Sequence, residues 1–241
     1  MPNSSQPNYV LNCDWDCTAK VQSRIITIIH LYRDIFGVVS IPKGKQYWTM
    51  CGAHFNAHGD LDGELGHLLK SGLIRPHQFH GVDREAIIIQ RNSDMFPRVK
   101  WYHGDFLEVM ESRTNFNPAI INYDGVMQPR FGVRYLKSIL KFIDHNIEDE
   151  LLMIANFLLT NPYTYNEKLT FSIEDTIKEL SSIYWIPDHW EIIPQAYTYK
   201  RGRGSNSLMG IVMFIKNKHD MNNISITKNR RIFIPPERRS L

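Results

Sequence analysis

Three aspartates stand where short apolar segments end, and their positions suggest one shared binding site. Asp83 closes the segment QFHGVD, Asp105 closes WYHGD and Asp124 closes AIINYD. Short apolar runs of this kind are typical of strands buried on both faces of a parallel sheet. Ligands of open α/β sheets bind outside the carboxyl ends of the strands, where the strand order reverses. The three carboxylates are therefore predicted to converge on one nucleotide-type crevice.

Each aspartate also has a purely structural interpretation. Aspartate is favoured at helix N-caps and in turns, so any one of these acids alone predicts a cap or a turn. Their occurrence at three successive predicted strand ends is what favours a site. The first predicted strand ends at a small residue, Cys51, and two more small residues, Gly52 and Ala53, follow it. Such residues let a ligand approach the backbone closely.

The elements that must position these residues alternate along the chain. Strands are predicted over residues 46–51, 77–83, 99–103, 118–123 and 150–159. After a first helix that starts at Asp16 or Thr18 and ends near Phe36, helices are predicted over 63–71, 84–92, 105–112, 132–143 and 170–183. The last two predicted strands, 190–199 and 207–216, flank the basic glycine-rich segment KRGRGSN, which favours an antiparallel hairpin. Repeated alternation of strand and helix predicts a parallel sheet with helices on both faces.

The composition fits one globular domain of 241 residues with 43% hydrophobic residues. No apolar run reaches the ~18 residues that a membrane span requires, and the amino terminus lacks the pattern of a secretory signal. The three cysteines form no dense even-numbered framework, which favours a reducing compartment. We therefore predict a cytoplasmic protein without membrane contact. Its expected parts are a flexible lead over 1–17, a main domain over 18–216 and a basic tail over 217–241.

The charge of the chain is uneven. From Lys200 onward there are ten lysines and arginines but only two acids. Lys200, Arg201 and Arg203 lie beside Tyr197 and Tyr199 at the predicted hairpin tip, an arrangement that suits a single-stranded nucleic acid. A basic tail on a mildly acidic body thus favours nucleic acid as a partner. A solvated, poorly ordered tail without a partner is the alternative interpretation.

The ten histidines raise the possibility of a metal site. His54 and His58 are four residues apart, and His77 and His80 are three apart. Two histidines at this spacing can hold zinc from a helix, but the segment between Gly52 and Gly59 is too rich in small residues for a stable helix. The spacing matches no recognised ligand set. We therefore predict no metal.

The order of these elements resembles the Rossmann-like fold of class I methyltransferases that use S-adenosyl-L-methionine (SAM). The resemblance covers residues 18–216, and its most specific feature is the hairpin WEIIPQAYTYKRGRGSNSLMGIVMFIK that closes the alternation. It implies an α/β three-layer sandwich with a mostly parallel, seven-stranded sheet and a C-terminal antiparallel hairpin. It also implies SAM as the cofactor.

The resemblance assigns roles to particular residues. The turn Cys51-Gly52-Ala53 would face the methionine end of the cofactor, although it has only one early glycine. Asp83 would accept hydrogen bonds from the ribose hydroxyls. Arg84, directly after it, would also contact the cofactor. The adenine pocket would be formed by Gly104, Asp105 and Phe106. Asp124 matches the position that faces the methyl group and the substrate.

Methyl transfer to oxygen or nitrogen requires alignment of the acceptor and removal or sharing of its proton. Asp124, with Tyr123 next to it, is the candidate for this work, and a turn cap is the alternative role for Asp124. The acceptor is expected to be nucleic acid or a nucleotide-like compound. Two alternatives stay open, a small-molecule methyltransferase and a non-catalytic binding module, and the single early glycine favours the second.

Overall fold

The computed structural model describes residues 18–51, 63–124, 129–147, 150–158, 190–200 and 206–216. The helices in this part of the chain are α1 (Thr18–Phe36), α2 (Glu64–Lys70), α3 (Ala86–Met95), α4 (Phe106–Glu111) and α5 (Pro129–Asn146). The strands are β1 (Gln46–Met50), β2 (Phe79–Asp83), β3 (Lys100–His103), β4 (Pro118–Tyr123), β5 (Leu151–Leu158), β6 (Trp190–Lys200) and β7 (Asn206–Lys216).

The described strands form one sheet in the order β3-β2-β1-β4-β5-β7-β6. Strands β1 to β5 are all parallel, which confirms the predicted α/β Rossmann-like parallel sheet. Strand β7 runs antiparallel to both β5 and β6. The strand order reverses between β1 and β4, so the carboxyl ends of these two strands flank the crevice where ligands of such sheets bind.

Two apolar cores lie on opposite faces of the sheet because successive side chains of a strand alternate between faces. Tyr47, on one face, packs with residues of α1 and α2, and Phe96 at the end of α3 adds to that core. Trp48, on the other face, packs with residues of α4 and α5. The parallel strands are thus covered on both sides, which explains why they are apolar along almost their whole length.

Three elements begin two or more residues away from their predicted starts, each for a local reason. Pro76 starts a short 3-10 turn, Pro76–Gln78, so β2 begins at Phe79 rather than at residue 77. Helix α3 begins at Ala86 rather than at residue 84 because Glu85, its N-cap, has extended backbone. Helix α5 begins at Pro129 rather than at residue 132, since proline at the first helical position needs no hydrogen-bond partner for its nitrogen.

Several sequence predictions fall outside the described residues. These are the lead over 1–17, the helix over 170–183 and the tail over 217–241, so the three-part division of the chain stays a prediction. Among the described helices, none is both long and apolar enough to cross a bilayer.

Candidate functional site

Two backbone hydrogen bonds and one contact of a histidine ring join the carboxyl ends of β1, β2 and β3. We call these joined strand ends the rim. The N–H of Cys51 donates to the carbonyl of Val82 at 2.9 Å, and the N–H of Gly104 donates to the carbonyl of Asp83 at 2.9 Å. The ring Nε2 of His103 lies 3.0 Å from the carbonyl oxygen of Arg84. The predicted residues at the ends of these three strands are therefore held in fixed positions relative to one another.

Asp83 ends β2 and is half-buried. Its Oδ1 accepts the backbone N–H of Glu85 at 2.8 Å. Burial raises the pKa of Asp83 to about 6, and the hydrogen bond from Glu85 opposes this shift only in part. Asp83 is therefore ionised at neutral pH and can accept hydrogen bonds from ligand hydroxyl groups, but it gains a proton in mild acid.

Cys51, the first of the small residues after β1, is buried. Burial raises the pKa of its thiol well above the ordinary value, and the charges of Asp83 and Glu64 act in the same direction. The thiol is therefore neutral at physiological pH and unsuited to act as a nucleophile. What Cys51 offers a ligand is a small side chain at the rim.

Asp105 is the N-cap of α4, as the structural interpretation of this acid predicts. Its Oδ1 accepts the N–H of Leu107 at 3.0 Å and that of Glu108 at 3.4 Å, together with a short hydrogen bond from the hydroxyl of Tyr135. Its Oδ2 forms an ion pair with Arg84. Burial alone would raise the pKa of Asp105, but the hydrogen bonds from Tyr135 and Arg84 outweigh it and hold the pKa below the ordinary value.

Gly104 has a backbone conformation that favours glycine, with φ of +147°. A Cβ at this position would also lie 3.0 Å from Cγ2 of Val109. Other residues would be strained here for both reasons. Gly104 thus turns the chain sharply between β3 and the cap of α4, which sets the position of Asp105 at the rim.

Phe106 and Tyr123, two further residues of the predicted site, have buried side chains. The two side chains are 2% and 1% exposed and lie in the core beneath α4 and α5, with their rings 6.1 Å apart. Burial raises the pKa of Tyr123 to about 12, so this phenol cannot take up a proton as a base at neutral pH. Phe106 has no open face for an adenine ring. The periodicity of the strand and of the helix places both side chains inward.

Asp124 follows the last residue of β4 directly and is half-buried. It stands next to the point where the strand order reverses, at the end of a strand that pairs with both β1 and β5. This is the position from which a side chain can reach a ligand in the crevice. Its predicted role in catalysis is compatible with this place in the fold.

A buried polar network lies behind the rim, on the face of the sheet that α2 covers. Glu64, at the first turn of α2, is 6% exposed and accepts hydrogen bonds from Tyr47, Thr49 and Asn122. Asn122 in turn accepts from the side chain of Asn156 at 3.1 Å. The network connects β1, β4 and β5 with the helix that follows the segment 52–62. The asparagines in two otherwise apolar strands were the available sequence signal for it.

The remaining predicted site residues are not all described. Gly52, Ala53, Arg201 and Arg203 lie outside the described residues, and Lys200 is the last residue of β6. His54 and His58 of the metal alternative also lie outside them. Within the ranges that the structure covers, no three His, Cys, Asp or Glu side chains form a group that could hold a metal ion.

Comparisons with known proteins bear on the fold. No protein-family model matches the sequence, and no curated protein matches it significantly. Solved structures do match. The plantazolicin methyltransferase BamL, in complex with a triazolic desmethylPZN analog and SAH, has a TM-score of 0.57 at 12% identity, over 83% of this chain and 86% of that chain.

Two further structures are similar over most of the chain. The plantazolicin methyltransferase BpumL, in complex with SAH, has a TM-score of 0.56 at 11% identity, over 89% of this chain and 92% of that chain. A predicted O-methyltransferase from Klebsiella pneumoniae has a TM-score of 0.50 at 13% identity, over 90% of this chain and 92% of that chain. These likenesses show that the chain has the Rossmann-like fold of SAM-dependent methyltransferases.

Proposed function

We propose that this protein is a SAM-dependent methyltransferase that binds its cofactor at the carboxyl ends of β1 to β4. The proposal depends on the fold together with the positions of three aspartates in it. The fold matches that of methyltransferases crystallised with SAH over most of their length, and the three aspartates predicted from the sequence stand at successive strand ends of that same fold. A fold alone does not specify a function, so the residues at this edge carry the rest of the argument.

The proposed cofactor site extends along the rim. Asp83 binds the ribose hydroxyls with its ionised carboxylate, and Arg84 and Asp105 flank the adenine. The chain from Cys51 through Gly52 and Ala53 approaches the methionine end. Gly104 supports the adenine side through its backbone. SAM supplies a methyl group already activated by its sulfonium.

Asp124 is the residue proposed to orient the acceptor and to hold or accept its proton. It lies at the end of β4, beside the reversal of strand order, where a bound methyl group would be within reach of a substrate. General-base assistance of this kind contributes about 10²–10⁴ in rate. Tyr123, which points into the core, is left with a packing role.

The proposal includes the complete seven-stranded arrangement, with β6 and β7 as the C-terminal hairpin of the methyltransferase fold. The antiparallel pairing of β7 with β5 and with β6 supports it. A cytoplasmic location is proposed from the cysteine content alone.

For the acceptor we propose nucleic acid or a nucleotide-like compound. The support is the cluster Lys200, Arg201 and Arg203 at the hairpin tip, together with the basic tail. Phosphate neutralisation by such residues gives affinity without reading a base sequence. A small-molecule acceptor is the second candidate, because BamL and BpumL were crystallised with desmethylPZN analogs. A module that binds without catalysis is the third.

Transfer of a labelled methyl group from SAM tests the reaction. The wild-type protein should label one acceptor class when it is offered single-stranded oligonucleotides and, separately, a pool of small phenols, amines and azoles. Asp124→Asn should lower the rate on the order of a hundredfold. Asp94→Asn, at an exposed position in α3, is the matched control and should leave the rate unchanged. No transfer to any acceptor, although SAM binds, would favour the binding module.

The acceptor class is tested separately through salt. Nucleic acid binding at the hairpin tip should weaken as salt rises, and Arg201→Ala combined with Arg203→Ala should reduce both the affinity and its salt dependence. Oligonucleotide binding that responds to neither change would contradict the role of the hairpin tip.

A further inference from the structure

A second cleft lies at the opposite, amino-terminal edge of the sheet. It has a volume of about 200 Å³ and is lined by residues of β1, β2 and β3 and by the segment after α4, among them Trp48, His80, Lys100, Tyr102 and Arg113. Helix α4, which precedes the segment that lines the cleft, has only six residues, a length of about 9 Å.

Strand register brings an unusual set of side chains together at this cleft. Trp48 pairs with His80, and His80 pairs with Lys100 on the edge strand β3. The rings of Trp48 and His80 are 4.6 Å apart, and the hydroxyl of Tyr102 lies 3.1 Å from Nδ1 of His80. With the phenol donating to Nδ1, the neutral imidazole carries its own proton on Nε2. In this tautomer, the buried imidazole in the cleft wall can donate a hydrogen bond from Nε2.

Two cations line the same cleft as this imidazole. The guanidinium of Arg113 lies 4.5 Å from the centre of the Tyr102 ring, and both Arg113 and Lys100 are exposed. Neither of them forms an ion pair with a carboxylate in the described part of the chain. Burial lowers the pKa of His80 to about 3, and the charges of Lys100 and Arg113 add to this effect. The positive potential of both side chains thus reaches the buried ring.

An edge-strand lysine alone would be explained by protection against aggregation, and an arginine over a tyrosine by cation–π attraction. Neither explanation accounts for a buried histidine that lines the same cleft as the two charges. A cleft of 200 Å³ is smaller than the 300–1,000 Å³ typical of pockets for larger organic ligands. Its size and positive charge select a compact anion.

We propose that this cleft is a binding site for a phosphate group, held by Arg113 and Lys100 with His80 as a neutral donor. Arginine suits phosphate because its planar donors match the oxygens in pairs, and lysine adds a point charge. The Thr114 hydroxyl lines the same cleft and offers one more hydrogen-bonding group. The site is at the far edge from the proposed cofactor crevice, so it does not rest on the methyltransferase proposal.

Calorimetric titration tests the site, with inorganic phosphate in one arm and a short single-stranded oligonucleotide in the other. The cofactor crevice is first saturated with SAH, and ionic strength is kept constant. Lys100→Gln combined with Arg113→Gln should weaken binding about tenfold or more, since both charged donors to the phosphate are removed. The two arms show whether the phosphate group comes from a free anion or from a nucleic acid.

The chain offers a matched control. Lys43 and Arg75 line another cleft of about 270 Å³, whose lining has no aromatic stack. Lys43→Gln combined with Arg75→Gln removes the same charge and should change the affinity less than about twofold. Nitrogen-15 NMR of His80 should show its pKa rising when phosphate binds. No binding in either arm, or equal losses in the two double variants, would overturn the proposal.

Discussion

The hydroxyl of Tyr135 donates to the same carboxylate oxygen of Asp105 that accepts the backbone N–H of Leu107. This bond links α5 to the N-cap of α4. It also lowers the pKa of Asp105, an effect that the ion pair with Arg84 reinforces. Arg84 is 61% exposed, so its contribution is screened by solvent, whereas the bond from Tyr135 is part-buried. Tyr135 is therefore the main support of this carboxylate from another helix.

Tyr135→Phe is predicted to lower the free energy of unfolding by about 1–2 kcal/mol at pH 7, because it removes a hydrogen bond to an ionised acceptor. The pKa of Asp105 is depressed in the folded state, so its stabilisation is present above the unfolded pKa of about 3.9 and is lost as pH falls through the folded value. The cost of the substitution should shrink in that acidic range. Urea unfolding across pH checks this prediction.

Tyr102→Phe is the matched control for Tyr135→Phe, since the hydroxyl of Tyr102 bonds to a neutral imidazole. Its cost should stay nearly constant from pH 7 to pH 4, because His80 remains neutral throughout that range. Between pH 7 and pH 4 the cost of Tyr135→Phe should also be constant, and it should shrink on further acidification as Asp105 gains a proton. A cost of Tyr135→Phe that does not shrink below pH 4 would contradict the assigned role of Tyr135.

Asp83→Asn is predicted to stabilise the protein at pH 7.5. The folded state raises the pKa of Asp83 to about 6, so it holds the proton more tightly than the unfolded chain does. Wild-type stability from this group therefore increases as pH falls from about 6 to 4, and ionisation is a cost above pH 6. Asparagine cannot ionise, yet its carbonyl can still accept the N–H of Glu85.

The midpoint of thermal unfolding measures this effect. It should be higher for Asp83→Asn than for the wild type at pH 7.5, and the difference should vanish near pH 4. A constant difference, or a lower midpoint for the variant at pH 7.5, would show that burial does not disfavour the Asp83 carboxylate.

Gly81→Ala is predicted to destabilise the protein by about 1–3 kcal/mol through overpacking. A Cβ at this position would lie 2.5 and 2.6 Å from two ring atoms of Trp101 and 3.1 Å from Sγ of Cys51. The indole is held in place by its hydrogen bond to the carbonyl of Phe96 at 3.2 Å. Chemical denaturation measures the loss.

The double variant Gly81→Ala with Trp101→Phe separates a clash from other effects of the alanine. The smaller ring leaves room for the added methyl group, so the combined loss should be less than the sum of the two single losses. Strict additivity would show that the ring of Trp101 is not what excludes a Cβ at residue 81.

Glu64→Ala is predicted to cost about 2–5 kcal/mol, because it leaves the buried donors of Tyr47 and Asn122 without their acceptor. Glu64→Gln keeps an oxygen for these two donors and should cost clearly less. Urea unfolding of both variants makes the comparison. Equal losses would indicate that the volume of the side chain, rather than its acceptor oxygens, matters at this position.

Much of the fold could be predicted from the sequence because its signals are local. The apolar runs that end at Asp83, Asp105 and Asp124 identified three parallel strands, and the alternation with helices identified the sheet. The larger shifts in where elements begin occur beside a particular residue, as at Pro76 or Glu85.

The arrangement around the site could not be predicted in the same way. Tyr135 bonds to a residue 30 positions earlier in the chain, and nothing in its helix distinguishes it from a packing tyrosine. Glu64 meets Asn122 only after β1 and β4 have paired, since the two are 58 positions apart. Tyr123 is buried whereas Asp124, directly after it, is half-buried, because neighbouring residues of a strand point to opposite faces.

Binding of SAM at the carboxyl ends of β1 to β4 is tested most directly by calorimetric titration with SAH. The wild-type protein should bind SAH, and Asp83→Ala should weaken binding at least about tenfold at pH 7.5, since it removes an ionised acceptor of the ribose hydroxyls. Asp34→Ala, at an exposed position in α1, should bind like the wild type. The absence of any heat with the wild type, or equal affinities for all three proteins, would contradict the claim.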